Sequence, residues 1–395
     1  MAILLEPSEE ELRSVGSLKW TGIRSDDDQV TIGAWIAEMD FGTAPQVLNR
    51  LKGALDEGLL GYLPEWAPVE AAKALAQFHA KRHGWQMDPS HVRAAGSVLE
   101  ALEATISRLS RPGSAVIVPT PAYMPFLTLP KAMGRPVIEV PSLHTPGATG
   151  RDAWSLDLDA IEEHLRAGAG TVILCNPWNP TGRVLTTEEM TALNRIVQKY
   201  DALVFSDEIH SPLTLGDPRK FTSYTSLGPE FAAHTVTAMA ASKGWNIAGL
   251  PSAQVVLPDE RMRRLWDLQT PGFVGRATTL GTVGAITAYE EGEPWLDEVL
   301  AYISQNLDYL GQALSTTRIE YSPPQGSYVT WLGWDAYDLP SCPASILRNR
   351  AHIGVNCGED MGRGYENWTR VNSAMPHDLW KVTVDGILET AAFYA

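Results

Sequence analysis

Five short motifs that contain polar or charged residues each directly follow an apolar segment of the chain. Lys243 lies in "ASKGWN", Asp207 in "SDEIH" and Asn179 in "NPWNPTG". Tyr123 lies in "PTPAYMPF", and Gly96–Ser97 open the stretch "GSVLEALEA". Ligands of open α/β sheets bind beyond the carboxyl ends of the strands, so we expect these groups to meet in one crevice.

Together, these residue types match what pyridoxal 5'-phosphate (PLP) requires of a protein. A lysine such as Lys243 forms the Schiff base, and a buried carboxylate such as Asp207 pairs with the pyridine nitrogen. The helix start at Gly96, Ser97 and Val98 suits the anionic phosphate. Tyr123 can stack on the ring, and the amide of Asn179 can donate to its phenolic oxygen. Lys243 and Asp207, with Tyr123, are therefore the candidate catalytic residues.

Each motif also has an ordinary structural interpretation. A strand-end aspartate is commonly a cap or turn residue, and "NPWNPTG" alone is a proline-stiffened loop. Asp207, Glu208 and His210 could also suggest a metal site. Alternation along a strand points Asp207 and Glu208 to opposite faces, however, so they are poor co-ligands and we predict no metal.

The elements that position these motifs are short runs of β-branched and apolar residues. Without alternation, such runs are typical of strands covered on both faces. The seven runs are Val92–Gly96, Ala115–Thr120, Arg135–Val140, Thr171–Pro177, Ala202–Glu208, Thr235–Ala241 and Ala253–Pro258. Helical stretches fall between several of them, which predicts a large α/β domain with a seven-stranded, mostly parallel sheet between helices. We assign 45–284 to this domain, and 1–44 with 285–395 to a smaller α+β domain.

Composition excludes some classes of partner. The chain has 395 residues, a formal net charge of −16 and a pI near 5.0, which argues against nucleic-acid binding. No apolar run approaches a membrane span, so we predict no membrane association. Three cysteines, Cys175, Cys342 and Cys357, lack metal-ligand spacing and suggest a reduced, cytoplasmic protein.

The motifs resemble those of the class I/II aminotransferase superfamily of fold type I PLP enzymes, and within it the carbon–sulfur β-lyase (cystathionine β-lyase) branch. The similarity spans nearly the whole chain, from "GSLKW" and "WIAEMDFGTAP" through "NPWNPTG", "SDEIH" and "ASKGWN" to "GSYVTWL" and "TRVN". It implies that Arg370, with Asn179 and Asp40, binds the substrate and that Ser242 helps to bind the cofactor. It also implies a homodimer in which Tyr62 of one subunit reaches the PLP phosphate of the other.

Two departures from the superfamily pattern matter. Ala240 stands where many members have Ser or Thr for the phosphate, and no arginine follows in "IAGLPSAQ". His210 stands where transaminases usually have the tyrosine that holds the phenolic oxygen, which favours a lyase and adds His210 to the cofactor-binding set. The expected reaction is elimination from cystathionine or another S-substituted cysteine to a thiol, pyruvate and ammonia, with Lys243 as the base. An aminotransferase, or a regulatory protein that retains this fold, remains the alternative.

Overall fold

The computed structural model describes residues 4–149, 152–270 and 277–395. Several helices begin with side-chain caps that the sequence supplies. Thr186 and Glu189 form a reciprocal capping box at the start of the helix that begins at Thr187. The helices are α1 Glu9–Val15, α2 Leu18–Thr21, α3 Pro45–Asp56, α4 Trp66–His83, α5 Val98–Ala104, α6 Met124–Ala132, α7 Leu158–Arg166, α8 Thr187–Lys199, α9 Pro229–Ala232, α10 Glu260–Gln269, α11 Thr279–Glu291, α12 Glu293–Leu314, α13 Pro343–Arg350 and α14 His377–Phe393.

The strands form one large sheet and three smaller ones. They are β1 Ile32–Gly33, β2 Val92–Ala95, β3 Val116–Thr120, β4 Val137–Pro141, β5 Leu143–His144, β6 Trp154–Ser155, β7 Thr171–Cys175, β8 Leu203–Asp207, β9 Thr235–Met239, β10 Ala253–Val256, β11 Glu320–Tyr321, β12 Val329–Gly333, β13 Ile353–Gly354, β14 Asn356–Cys357 and β15 Trp368–Asn372. The large sheet has seven strands in the order β2-β10-β9-β8-β7-β3-β4.

The large sheet confirms the predicted fold class. Every predicted run contributes one strand, and β10 alone is antiparallel to its neighbours β2 and β9. Strands β3 and β9 are buried along their whole length, because helices cover both faces. The parallel strands β7, β8 and β9 therefore end side by side, and they bring the segments that follow them to one edge.

The C-terminal part of the chain carries a second, four-stranded antiparallel sheet in the order β11-β12-β15-β14. Strand β1 pairs with β13 through Ile32 and Ile353, so the N-terminal segment packs on the C-terminal part. This pairing supports the assignment of 1–44 to the smaller unit, although the division at 44 and 284 stays a prediction. Strand β15 carries Arg370 towards the edge of the large sheet.

One expectation about the cysteines is wrong. The structure joins Cys342 and Cys357 in a disulfide, whereas the sequence suggested that all three cysteines are reduced. The fold brings the pair together because Cys342 caps α13 and Cys357 lies in β14, 15 residues along the chain. Cys175 remains free. Within the described ranges, no helix has the length and apolar character needed to cross a membrane.

Candidate active site

Lys243 lies in the turn that follows β9 and is partly buried. Its Nζ atom donates a 2.7 Å hydrogen bond to the backbone carbonyl of Ala37. Burial, and after it the positive charge of Arg370, lowers the pKa of Lys243 to about 8. A larger fraction of Lys243 is therefore in the neutral, nucleophilic form at physiological pH than for an exposed lysine.

Asp207 ends β8 beside Cys175 of β7 and is almost fully buried. Its Oδ1 atom accepts a 3.0 Å hydrogen bond from the backbone N–H of Ile209. Burial raises the pKa of Asp207 to about 7, against the lowering effects of that hydrogen bond and of Lys243. A carboxylate in this position needs a cationic partner to stay ionised.

Glu208 points to the other side of the strand, as alternation predicts. Its carboxylate accepts from the hydroxyl of Ser206 at 2.8 Å and from the backbone N–H of Tyr224 at 3.0 Å. In the ranges that the structure describes, no group of three or more His, Cys, Asp or Glu side chains could hold a metal ion. Glu208 thus belongs to the structural core beneath the site.

His210 is buried beside Asp207, and its Nδ1 atom has no hydrogen-bond partner in the described structure. Burial, followed by the charges of Lys243 and Arg370, lowers the pKa of His210 to about 3. The imidazole is therefore neutral at physiological pH. It can offer one donor or one acceptor to a bound group.

Arg370 of β15 is held by four hydrogen bonds from its guanidinium. Its Nε and Nη2 atoms donate to Oδ1 of Asn356 at 3.1 and 2.7 Å. Nη2 also donates to the carbonyl of Trp35 at 2.9 Å, and Nη1 donates to Oδ1 of Asn179 at 3.2 Å. Burial lowers the pKa of Arg370 to about 10, so the guanidinium remains a cation at neutral pH. A fixed, charged guanidinium is suited to bind a carboxylate.

These residues surround one cavity of about 350 Å³. The N-terminal segment, the edge of the large sheet and the C-terminal sheet all contribute to its wall. The lining residues are Trp35, Ile36, Ala37, Ser97, Val98, Leu99, Tyr123, Met124, Cys175, Asn179, Asp207, Ile209, His210, Lys243, Asn356 and Arg370. Most of the residues predicted from the sequence are therefore brought together.

The helix start at α5 agrees with the prediction only in part. Ser97 and Val98 line the cavity, whereas Gly96 lines a neighbouring cleft. The N–H of Gly96 already donates to Oε2 of Glu100 at 2.6 Å, and the N–H of Glu100 donates to Oγ of Ser97 at 3.1 Å. The N–H of Gly96 is thus occupied within the cap in this structure, and a role of Gly96 in cofactor binding stays a prediction.

Three other predicted residues lie outside this cavity. Asp40 is buried and accepts from Nζ of Lys19 and from Nε1 of Trp20, each at 2.8 Å, and its role in substrate binding stays a prediction. Ser242 is half-buried and does not line the cavity, so its cofactor role stays a prediction. Tyr62 is fully exposed, with a relative accessibility of 102%. A role towards a neighbouring subunit stays a prediction for Tyr62.

Sequence reasoning missed Asn356, which holds Arg370, and the backbone at Ala37, which holds Lys243. Asn356 lies in a two-residue strand and Ala37 lies outside the helices and strands, so neither has a period that the sequence could reveal. Trp35 lines the cavity. Trp178 and Trp245, by contrast, are core residues.

The chain is similar in sequence and in structure to known proteins. The sequence model of the family "Aminotransferase class I and II" matches residues 36–387. The chain is 34% identical to a cystathionine beta-lyase of Corynebacterium glutamicum, over 93% of this chain and 95% of the relative. It is 32% identical to the cystathionine beta-lyase PatB of Bacillus subtilis, over 86% and 87%. A PLP-bound C–S lyase from Staphylococcus hominis superposes with a TM-score of 0.87 at 25% identity, covering 96% of this chain and 97% of that one.

Proposed function

The chain belongs to the class I and II aminotransferase family, and we propose that it is a PLP-dependent carbon–sulfur β-lyase. It cleaves cystathionine or another S-substituted L-cysteine to a thiol, pyruvate and ammonia. The observation that carries the proposal is that Lys243, Asp207 and Arg370 line one cavity. Relatives that cover most of the chain and are named cystathionine beta-lyase support the choice of reaction.

The residues of the cavity fit PLP. Asp207 is buried, and no cation among the described residues is bonded to it. The protonated ring nitrogen would supply a cation and keep the carboxylate ionised. The orphaned Nδ1 of buried His210 and the side-chain N–H2 of Asn179 would be available to polar atoms of the ring. Ser97 and Val98 would contact the phosphate. Lys243, with its lowered pKa, would attach the cofactor covalently.

Bound PLP supplies an electron sink for the negative charge that develops at the substrate Cα. The chain supplies the groups that direct this chemistry. Arg370 would bind the substrate α-carboxylate, and Asn356 and Asn179 hold it in place. The Lys243 amine, once released by the substrate amino group, would remove the Cα proton, because its low pKa leaves it partly neutral. Loss of the thiolate from Cβ completes the elimination.

Tyr123 lines the same cavity, and burial raises the pKa of its hydroxyl. The phenol therefore stays protonated at physiological pH. In the proposed reaction, Tyr123 would pack against the cofactor ring and would donate a proton to the departing thiolate. His210, in place of the tyrosine usual in transaminases, supports elimination over transamination.

We further propose that the enzyme is a homodimer with shared active sites. Exposed apolar side chains are concentrated between residues 48 and 69, which suits an interface. They are Leu48, Leu55, Leu60, Tyr62, Trp66 and Val69. Tyr62 in this segment would reach the PLP phosphate of the partner subunit. A cytoplasmic location stays a prediction, and the Cys342–Cys357 disulfide weighs against its redox basis.

The variant Lys243→Ala tests the assignment. It is expected to lose turnover of S-substituted cysteines and the visible absorbance of the Schiff base, while the chain still folds. Lys199→Ala, on an exposed lysine paired with Glu162, is the matched control and should retain both properties. Retention of turnover and absorbance by Lys243→Ala would contradict the proposal.

A further inference from the structure

The charged side chains that line the cavity are few. Among its described lining residues they are Asp207, Lys243 and Arg370. In the proposed reaction, each is committed to the common part of any amino-acid substrate or to the cofactor. His210 is neutral at physiological pH, because burial lowers its pKa to about 3.

The amide oxygens of the lining are engaged with Arg370. Oδ1 of Asn356 accepts two hydrogen bonds from Arg370, and Oδ1 of Asn179 accepts a third. Trp35 donates its indole N–H to the carbonyl of Lys19 at 3.0 Å. Beyond Asp207, Lys243 and Arg370, the described lining therefore offers only neutral groups to a substrate side chain.

Five large apolar side chains of the lining form an apolar wall, which we define as Trp35, Ile36, Leu99, Met124 and Ile209. The wall residues pack on hydrophobic clusters of the protein interior. Met124 packs on a buried cluster that contains Ala153, Trp154, Trp331, Met361, Tyr365 and Trp368. Leu99 and Ile209 pack on the core of the large domain.

The charged groups near the wall do not provide a partner for a charged substrate side chain. Lys19 is buried in an ion pair with Asp40 and also donates to the carbonyl of Glu38 at 3.1 Å. The negative charge of Glu38 partly offsets the lowering of the Lys243 pKa, but Glu38 does not line the cavity. A distal carboxylate on the substrate would therefore find no available cation among the described lining residues.

We propose that this enzyme selects S-substituted cysteines whose sulfur substituent is uncharged and apolar. Cystathionine, with a second ammonium and carboxylate at its far end, is then a poorer substrate than an S-alkyl cysteine. The physical reason is that a charge placed against the apolar wall loses its hydration without gaining a partner. This inference rests on the proposed lyase function and narrows its substrate class.

The experiment compares two substrates of nearly equal shape, S-isobutyl-L-cysteine and S-carboxymethyl-L-cysteine, on the PLP-loaded enzyme. Release of pyruvate gives kcat/KM for each. We expect the isobutyl compound to be favoured by about tenfold or more, because unpaired burial of a carboxylate costs over 1 kcal/mol. A smaller ratio overturns the selectivity, whereas no pyruvate from either compound or from cystathionine overturns the proposed lyase function itself.

A positive charge introduced into the wall gives a second, independent measurement. Met124→Lys places a cation where the distal carboxylate would lie, so the preference for isobutyl over carboxymethyl should fall by about tenfold. Met124→Leu keeps the wall apolar and should keep the preference. Ile36→Lys makes the same test should Met124→Lys fail to fold. An unchanged preference in a folded lysine variant would contradict the role of the wall.

Discussion

The Oδ1 atom of Asn356 accepts two hydrogen bonds from Arg370, at 2.7 Å from Nη2 and 3.1 Å from Nε. Both residues are buried, and their strands are paired at these positions. One side chain thus fixes the guanidinium plane that faces the cavity. Because a hydrogen bond to a charged group contributes about 1.5–3 kcal/mol, Asn356 has a measurable role in orienting Arg370.

Asn356→Ala is expected to raise KM for S-substituted cysteines by about tenfold, with kcat little changed, because only the binding of the α-carboxylate is weakened. Asn356→Asp should raise KM further, since its carboxylate would pair with Arg370 and compete with the substrate. Steady-state kinetics with a pyruvate readout measures both. A fall in kcat at constant KM, or a milder effect of Asp than of Ala, would show that Asn356 does not act through Arg370.

Asp207→Asn should stabilise the cofactor-free protein at high pH. Burial raises the pKa of Asp207 from 3.8 to about 7, so the folded state binds more protons than the unfolded state between these values. Stability from this group is therefore lost as the pH rises towards 7. The pKa shift limits the gain in the free energy of unfolding to about 4 kcal/mol. We expect Asp207→Asn to raise the free energy of unfolding by about 1–3 kcal/mol at pH 8 and to leave it unchanged at pH 3.5.

Urea unfolding of the cofactor-free proteins at the two pH values measures this difference. Asp40→Asn is the matched control, because Asp40 is equally buried but paired with Lys19. That variant should lose about 3–5 kcal/mol, since a buried charge is left without its partner. If Asp207→Asn destabilises the cofactor-free protein at pH 8 as Asp40→Asn does, the Asp207 carboxylate already has a stabilising partner in the cofactor-free protein, which contradicts the prediction.

The rate of covalent PLP attachment should depend on pH through Lys243. Its pKa is lowered to about 8, so the reactive neutral amine increases as the pH rises and is nearly complete above about pH 9. Stopped-flow absorbance between pH 6 and 10 should show this plateau. Arg370→Gln removes one of the causes of the shift, so its curve should move to higher pH. A wild-type curve that still rises steeply at pH 10 would contradict the perturbed pKa.

Tyr62 tests the shared active site. Tyr62→Phe should weaken PLP binding about tenfold, since it removes one hydrogen bond to a charged group. Tyr62→Ala and Lys243→Ala subunits should each have low activity alone. Mixed dimers of the two should regain activity, because one site then combines an intact lysine with an intact tyrosine. Mixtures that stay inactive despite confirmed exchange of subunits would exclude a shared site.

Much of the fold was predictable, because parallel strands buried on both faces leave continuous apolar runs such as Val116–Thr120. Lys243 and Asp207 were predictable for the same reason, since they follow such strands. Asn356 was not, because it lies in a two-residue strand, and the contact of Ala37 with Lys243 joins residues 206 positions apart.

Two of the predicted site residues already have a local partner in the structure. Asp40 stands in a motif typical of the family, but its carboxylate is taken up by Lys19 and Trp20. Gly96 opens the expected helix, but Glu100 occupies its N–H. In both cases a neighbouring side chain satisfies the group. Sequence spacing alone does not reveal such local partners.

The central claim is that the enzyme eliminates a thiol from an S-substituted cysteine. The most direct measurement incubates the PLP-loaded protein with S-isobutyl-L-cysteine and α-ketoglutarate, and quantifies pyruvate, ammonia, free thiol and glutamate. A β-lyase yields pyruvate, ammonia and thiol in equal amounts, with little glutamate. Stoichiometric glutamate without thiol would identify an aminotransferase and contradict the proposed elimination.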